Sequence, residues 1–280
     1  MVSHELKFRR AFRHLKDIDD LTKGWVNGEH HTTRQETDPG DGRVVVYATA
    51  EQPPEDPFSL EIGEFLQSMR SGLDNLAYSL ARAFTDPLPD DVAESSEFPI
   101  FGDRDRQGTL GGGSRRFHRT TRAGDPKRGS GLYKVRGWAP GAQAVVEGLQ
   151  PYHRGDAYER NPLWILHELD NINRHRLLHT AFAYGGGFIF DPLKSHNLAD
   201  IGTGVMESIG GPITTDTLIA RIPLQPVDPE LEVHIEVQPA LDVVFAAGTP
   251  IVEHESVYKT LLDIYVHVVG TVVPALTPFL

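Results

Sequence analysis

The sequence predicts an α+β fold: a helical bundle core with a β-rich insertion placed before a C-terminal closing helix. Three observations predict it. Apolar residues recur at helical spacing in the first 28 residues, between 56 and 85, and again after 161. The period then changes to alternation, with Leu231, Val233, Ile235 and Val237 apolar and Glu232, His234 and Glu236 polar between them. A helical, uncharged apolar stretch returns near the end. With 280 residues, 39% hydrophobic and 24% charged, the chain has enough apolar surface to build a core.

The elements follow in order. Ser3 offers an N-cap and Asn27-Gly28 a stop, and between them Leu6, Phe8, Phe12, Leu15, Ile18, Leu21 and Trp25 define one apolar face. A turn cluster at 37–42 leads into a strand at 43–50, which Pro53, Pro54 and Pro57 terminate. The second helix, capped by Asp56 or Ser59, runs to about 85 and turns Ile62, Phe65, Leu66, Met69, Leu73, Leu76, Leu80 and Phe84 inward. Residues 86–137 read as mostly irregular around the apolar knot Phe98-Pro99-Ile100-Phe101, and a short helix is expected at 141–149. Asn161 as cap and Pro162 in the first turn open a third long helix, expected to reach about 183 and to stop at Gly185-Gly186-Gly187. Strands are expected from 188 to 245, and a last helix at 253–270. This divides the chain into a helical core over 1–182, a β-rich insertion over 183–250 and a closing helix of the core over 251–280.

Charge is distributed unevenly. The net charge of −12 argues against a general nucleic-acid binder. Between 104 and 136, however, ten basic residues face only two acids, Asp105 and Asp125. Gly111-Gly112-Gly113 and Gly129-Ser130-Gly131 punctuate that stretch, which therefore reads as a mobile basic loop on an acidic body. Arg115, Arg116, Arg119 and Arg122 are its candidate phosphate contacts, because guanidinium forks match phosphate oxygens, and Phe117, His118 and Tyr133 offer stacking faces.

Two polar stripes interrupt apolar helices. On the second helix, Arg70 and Asp74 lie one turn apart at the edge of the core face, with the small residues Ala77 and Ala81 continuing the row. On the third, Glu168, Asn171, His175 and His179 fall in a sector of about 80° beside the apolar face, while His167, Asp170 and Arg174 read as more solvent-facing. Two such stripes on two core helices are expected to face each other across a polar pocket. A carboxylate with two imidazoles suits either a metal or an acid–base pair, so a metal-dependent hydrolase using Glu168, His175 and His179 is one alternative. All three lie on one predicted helix with no ligand from a second element, so no metal is expected.

Other chemistry is narrowed by what the sequence lacks. Zero cysteines exclude a disulfide framework, a thiolate metal site and a cysteine nucleophile, and fit a reducing cytoplasm. His167-Glu168 begins like a zincin motif, but Asn171 occupies the second histidine's place. A phosphate loop, a complete dinucleotide fingerprint and a nucleophile elbow are all missing from the sequence, and no cofactor is expected. No signal peptide is expected in the first fifteen residues, which carry no continuous apolar run. Residues 264–280 lack charged side chains but contain His267, Gly270, Pro274 and Pro278, so a buried closing helix is expected there rather than a membrane anchor.

Four blocks occur in order: MRSGLDNLAY at 69–78, FPIF at 98–101, LQPY at 149–152 and PLWILHELDNINRHRLL at 162–178. The series resembles the LRSALDHLA, FPIF, LQPY and LHELNNIDKHRLL blocks of a family of bacterial hypothetical proteins, over most of residues 1–182. A weaker resemblance is to HEPN helical domains, whose ribonuclease members carry an arginine followed four to six residues later by histidine. Arg70 matches the arginine, and Asn75 stands at the histidine's place. That resemblance implies a helical protein that binds, or in one version cleaves, RNA or a nucleotide. Arg70 would hold a phosphate, Asp74 would orient it, and His175 would stand in as the proton acceptor. Glu168, Asn171 and His179 would complete the pocket. A non-catalytic binding or interaction protein is the other alternative.

Overall fold

A computed structural model describes residues 3–38, 43–104, 110–176, 178–196, 198–201, 207–208, 210–226 and 234–280. The architecture is mixed α+β, as the change of period predicts.

Helix α1 (Ser3–Val26) buries a narrow stripe of His4, Phe8, Ala11, Leu15 and Ile18. Leu6 and Phe12, expected on that face, are instead exposed, and the Phe12 ring stacks obliquely on Tyr265 at 5.4 Å between centroids. The stripe is narrow because α1 lies close against α2 (Glu55–Phe84), where Phe8 sits over Gly72: a Cβ there would fall 2.4 Å from the ring. Helix α2 starts after Pro54 without a side-chain cap, which corrects the expected roles of Asp56 and Ser59. Asp56 instead lies in the first turn, where its charge complements the helix dipole. Ser59 lies inside the helix and donates to the Leu178 carbonyl at 2.7 Å. The seven residues from Ile62 to Leu80 on the predicted core face are buried, but Phe84, at the last turn, lies beyond the core and is exposed.

Residues 86–137 are more ordered than their composition suggests. Three short helices, α3 (Asp90–Ser95), α4 (Gly112–Phe117) and α5 (Gly131–Lys134), punctuate them. Phe117 is fully buried, edge-on to Phe101 and Tyr152, and its ring occupies the space a Cβ on Gly131 would need. With Val135 and Trp138 also buried, the described part of the basic stretch is pinned to the core by its apolar residues. The expectation of a mobile loop is corrected accordingly, with residues 105–109 lying outside the described ones.

Helix α6 (Pro140–Gly148) and a 3-10 segment (Pro151–Arg160) lead to α7 (Pro162–Asn173). The N-terminus of α7 is as predicted: Asn161 accepts from the Leu163 amide at 2.9 Å and Pro162 opens the first turn. Its C-terminus comes ten residues early. Leu178 and Phe182 are buried like helix residues, but alternation resumes at Thr180, whose strand pairs with a distant one. Periodicity over so short an apolar run does not separate the two states.

The strands are β1 (His31–Thr37), β2 (Val44–Ala50), β3 (Thr180–His196), β4 (Leu198–Ile201), β5 (Glu207–Ser208), β6 (Gly211–Pro212), β7 (Thr217–Ile222), β8 (Leu224–Pro226) and β9 (His234–Phe245). All pair antiparallel, in sheets ordered β1-β2-β7-β5, β6-β3-β9 and β4-β8. Gly185-Gly186-Gly187 does not stop a helix: it lies inside β3, where the register to β9 shifts between Tyr184 and Phe188. Strand β9 takes in described parts of both predicted strands, while 231–233 lie outside the described residues. Because β1 and β2 join β7, the β-rich part is not confined to 183–250. Val44, Val46, Ala48, Tyr184, Ile213, Ile219, Ala220 and Ile222 form its own small core.

Helix α8 (Val257–His267), capped by Ser256, continues through a π-turn (Val268–Val272), α9 (Val273–Leu276) and a 3-10 turn (Thr277–Phe279). Val257–Phe279 is long and apolar enough to cross a membrane by length and composition. In the fold its stripe Leu261, Ile264, Val268, Val272 and Leu276 is fully buried in the main core, which also contains residues of α1, α2 and α7. The closing helix thus ends at 279, beyond the expected 270.

Candidate functional site

The polar stripes of α2 and α7 do meet, but with different members from α7. A cavity of about 370 Å³ lies at their seam, lined by Gln67, Arg70, Ser71, Asp74, Asp170, Asn173 and Arg174. Asp170 is buried rather than solvent-facing, because it is four residues beyond Leu166 and seven beyond Leu163, on the stripe those leucines define. Reading the helix on to 183 shifted its apparent apolar face and concealed this.

Arg70 and Asp74 form the expected pair, Nη2 to Oδ1 3.2 Å. They also clamp one residue's backbone on both sides: Arg70 Nη2 donates to the Phe98 carbonyl at 3.0 Å, and the Phe98 amide donates to Asp74 Oδ1 at 3.0 Å. The apolar knot is thereby fastened across α2. Arg70 is only 12% exposed, and its Nη1 is buried without a hydrogen-bond partner. Across the seam, Arg174 Nη2 donates to Asp170 Oδ2 at 2.6 Å while the rest of its side chain reaches solvent. Burial raises the Asp170 carboxyl above its ordinary range, against the pull of Arg174 and Arg70.

His167 belongs to the same electrostatic neighbourhood. Asn171 Nδ2 lies 3.2 Å from His167 Nε2, and the ring tilts against Trp164. Burial first, then the positive charges of Arg70, Lys134, Arg174 and Arg116, hold its pKa down to about 4. The imidazole is therefore neutral at neutral pH, an acceptor in a basic environment.

The remaining site residues are dispersed. His175 is exposed in the turn that follows α7 and does not line the cavity. His179 is exposed, with Nδ1 3.3 Å from Glu55 Oε1 at the start of α2. Glu168 is half-buried, its carboxyl raised by burial and by Glu159. Glu168, His175 and His179 are therefore not assembled. Among the described residues, the three-ligand cluster that does form is His14, Asp17 and Glu61. Asn75, at the place of the HEPN histidine, turns away from α7 and donates to Ser3 Oγ at 2.9 Å.

The basic residues of 104–136 mostly hold their own chain. Arg116 Nη2 donates to the carbonyls of Gly102 and Arg104 at 2.7 and 2.8 Å, and Arg115 Nε to that of Gly111 at 3.2 Å. Arg119 reaches the Arg128 carbonyl at 3.5 Å, and Arg122 is exposed. Lys134 pairs with Glu97 at 2.7 Å, while Arg136 pairs with Asp91 at 2.9 Å and covers the Tyr133 ring. Sequence reasoning missed His167, Asp170, Asn173 and Arg174. The i, i+4 spacing of Asp170 and Arg174 was the available signal for two of them. Comparisons with protein-family models, curated proteins and solved structures return no match for this chain.

Proposed function

We propose that the protein binds a phosphate-bearing ligand, RNA or a nucleotide, at the α2–α7 seam without cleaving it. The observation that carries this reading is an open polar cavity lined by two arginines, the mostly buried Arg70 and the mostly exposed Arg174. A phosphate oxygen offers the exposed Arg174 guanidinium a charge-assisted partner, and the positive charge of Arg70 in the wall favours an anion there. Arg115, Arg119 and Arg122 are exposed cations that would follow a longer backbone. His175, the expected proton acceptor, does not line the cavity, which favours binding over cleavage.

A second reading rests on the clamp. Arg70 and Asp74 together satisfy both backbone groups of Phe98, which suits a purely architectural pair in an interaction protein. Equilibrium binding separates the two. Fluorescence anisotropy with a labelled 12-nucleotide single-stranded RNA, and competition by a nucleoside monophosphate, should be measured across a salt series. Arg174→Gln should weaken RNA binding and reduce the salt slope by about one, since one phosphate contact is lost. Replacing Arg115, Arg119 and Arg122 together by Gln should reduce the slope further. An affinity and slope unchanged by Arg174→Gln, or no binding to either probe at about 50 mM salt, would leave the architectural reading standing.

A further inference from the structure

On the opposite side of α2, about 180° round the helix from Arg70 by residue spacing, the groove between α1 and α2 gathers a different set of side chains. His14 and Asp17 are one turn apart on α1, and Glu61 reaches them from α2. One donor atom from each lies within 4.8 Å of the other two. His14 Nδ1 and Glu61 Oε2 are 2.7 Å apart, and both side chains are mostly buried. Beside them opens a groove of about 650 Å³, lined by Asp17, Asp20, Leu21, Trp25, Leu60 and Glu61 among others.

We infer that His14, Asp17 and Glu61 bind a divalent cation of the zinc–cobalt class, with its remaining coordination positions open to the groove. An imidazole nitrogen with two carboxylates, and no thiolate, suits a borderline ion better than magnesium or calcium, which take all-oxygen sets. The helices supply the geometry. Residues three apart on α1 share a face, and the opposed α2 adds a ligand from a second element. In the metal-free form, the 2.7 Å contact is a hydrogen bond whose proton occupies the ion's place. The ion replaces that proton and holds its ligands at about 2.0–2.2 Å, which needs the two atoms to separate to roughly 3.0–3.4 Å, a side-chain adjustment only.

The outer contacts are also suitable. His14 Nε2 lies 4.0 Å from Glu64 Oε2, beyond hydrogen-bond distance, and a shift of the Glu64 carboxylate by about 1 Å would let it accept from the Nε2–H of a metal-bound ring. Arg10 now donates to both His14 Nε2, at 3.3 Å, and Glu64, at 2.7 Å, and it keeps the second partner when the first becomes a donor. This inference is independent of the phosphate reading, which concerns the other face of α2.

The test is isothermal titration of the full, untagged chain with zinc chloride, repeated with cobalt chloride. About one equivalent should bind with micromolar or tighter affinity, and the melting temperature should rise with metal concentration. Glu61→Gln and His14→Gln, both retaining hydrogen-bonding groups, should weaken binding at least tenfold and abolish the thermal shift. Glu64→Gln should weaken it by a smaller factor, as an orienting contact does. Circular dichroism of each variant without metal checks that the fold is retained. Binding of equal stoichiometry and affinity in wild type and Glu61→Gln, or no binding up to about 1 mM metal, overturns the inference.

Discussion

Helix α2 carries charged groups on two opposite faces, and they are treated differently. Toward α7 the seam is balanced: two arginines, Arg70 and Arg174, answer two carboxylates, Asp74 and Asp170, and one pair is also locked to the backbone N–H and C=O of Phe98. Toward α1 the groove has a carboxylate excess, with Asp17, Asp20 and Glu61 beside it and the His14 imidazole next to them. Arg10 is committed to Glu64. Burial explains the difference. A carboxylate as buried as Asp170 needs a cation close by, whereas exposed carboxylates such as Asp17 stay solvated and can wait for one.

The largest effect should come from breaking the balanced face. Arg70→Met removes a mostly buried guanidinium, leaves Asp74 without its counter-charge and leaves the Phe98 carbonyl without a donor. A loss of about 3 kcal/mol is expected. For an isolated ion pair, Arg70→Met with Asp74→Leu would recover much of that. Here it should not, because the second substitution also strands the Phe98 amide. Asp74→Asn, which keeps the accepting oxygen, should cost less than Asp74→Leu. Urea denaturation of the four variants checks this; a double variant more stable than Arg70→Met would show that the clamp contributes little.

The α1 face of the same helix depends on shape as well as on the Arg10–Glu64 pair. Gly72→Ala would place a methyl 2.4 Å from the buried ring of Phe8, so one helix must move away from the other. A cost of about 2 kcal/mol is expected from such overpacking. Gly24→Ala, on α1 with nothing within 4 Å, should instead be neutral or slightly stabilising through helix propensity. Thermal unfolding of both variants makes the contrast; equal melting temperatures would mean that Phe8 repacks freely.

The legibility of the chain followed the length of its patterns. Helices α1 and α2, with 24 and 30 residues, show many turns of periodicity, and their limits were readable to within a few residues. Asn161-Pro162 marked the start of α7 because a cap is local chemistry. Its end was not readable: Leu178 and Phe182 keep a helix-like spacing, and only pairing of Thr180 with Phe245, 65 residues away, makes that segment a strand. β1 is illegible for a different reason: His31-Thr-Thr-Arg-Gln-Glu-Thr37 is a polar edge strand with no apolar alternation, and it acquires its state from a hairpin with the next strand, β2. The site inherited these errors. Arg70 and Asp74 lie on a helix whose axis was correctly set, so their partnership was visible, whereas every α7 assignment was referred to an overlong helix.

The smallest effect concerns how the balanced face responds to acid. Burial and the nearby Arg70, Lys134, Arg174 and Arg116 keep the folded-state pKa of His167 at about 4, below its ordinary value of 6.5. Between those values the unfolded chain binds a proton that the folded chain refuses. Stability therefore falls as pH drops from about 6.5 toward 4, and the loss levels off once the folded ring protonates as well. Asp170 acts in the opposite sense: its raised carboxyl favours the protonated form in the fold and offsets part of the loss. His4, His31 and His267, also lowered by burial, add to it. The net contribution of His167 is about 1–2 kcal/mol after allowance for its partial contact with solvent. In His167→Gln, which cannot titrate, the stability difference from wild type should change by that amount between pH 7 and pH 4.5, in favour of the variant at the acid end. Urea denaturation at several pH values measures it. Parallel wild-type and variant curves would mean that His167 is not held neutral by the seam, and that the cations around α7 are better screened than their placement beside a buried imidazole implies.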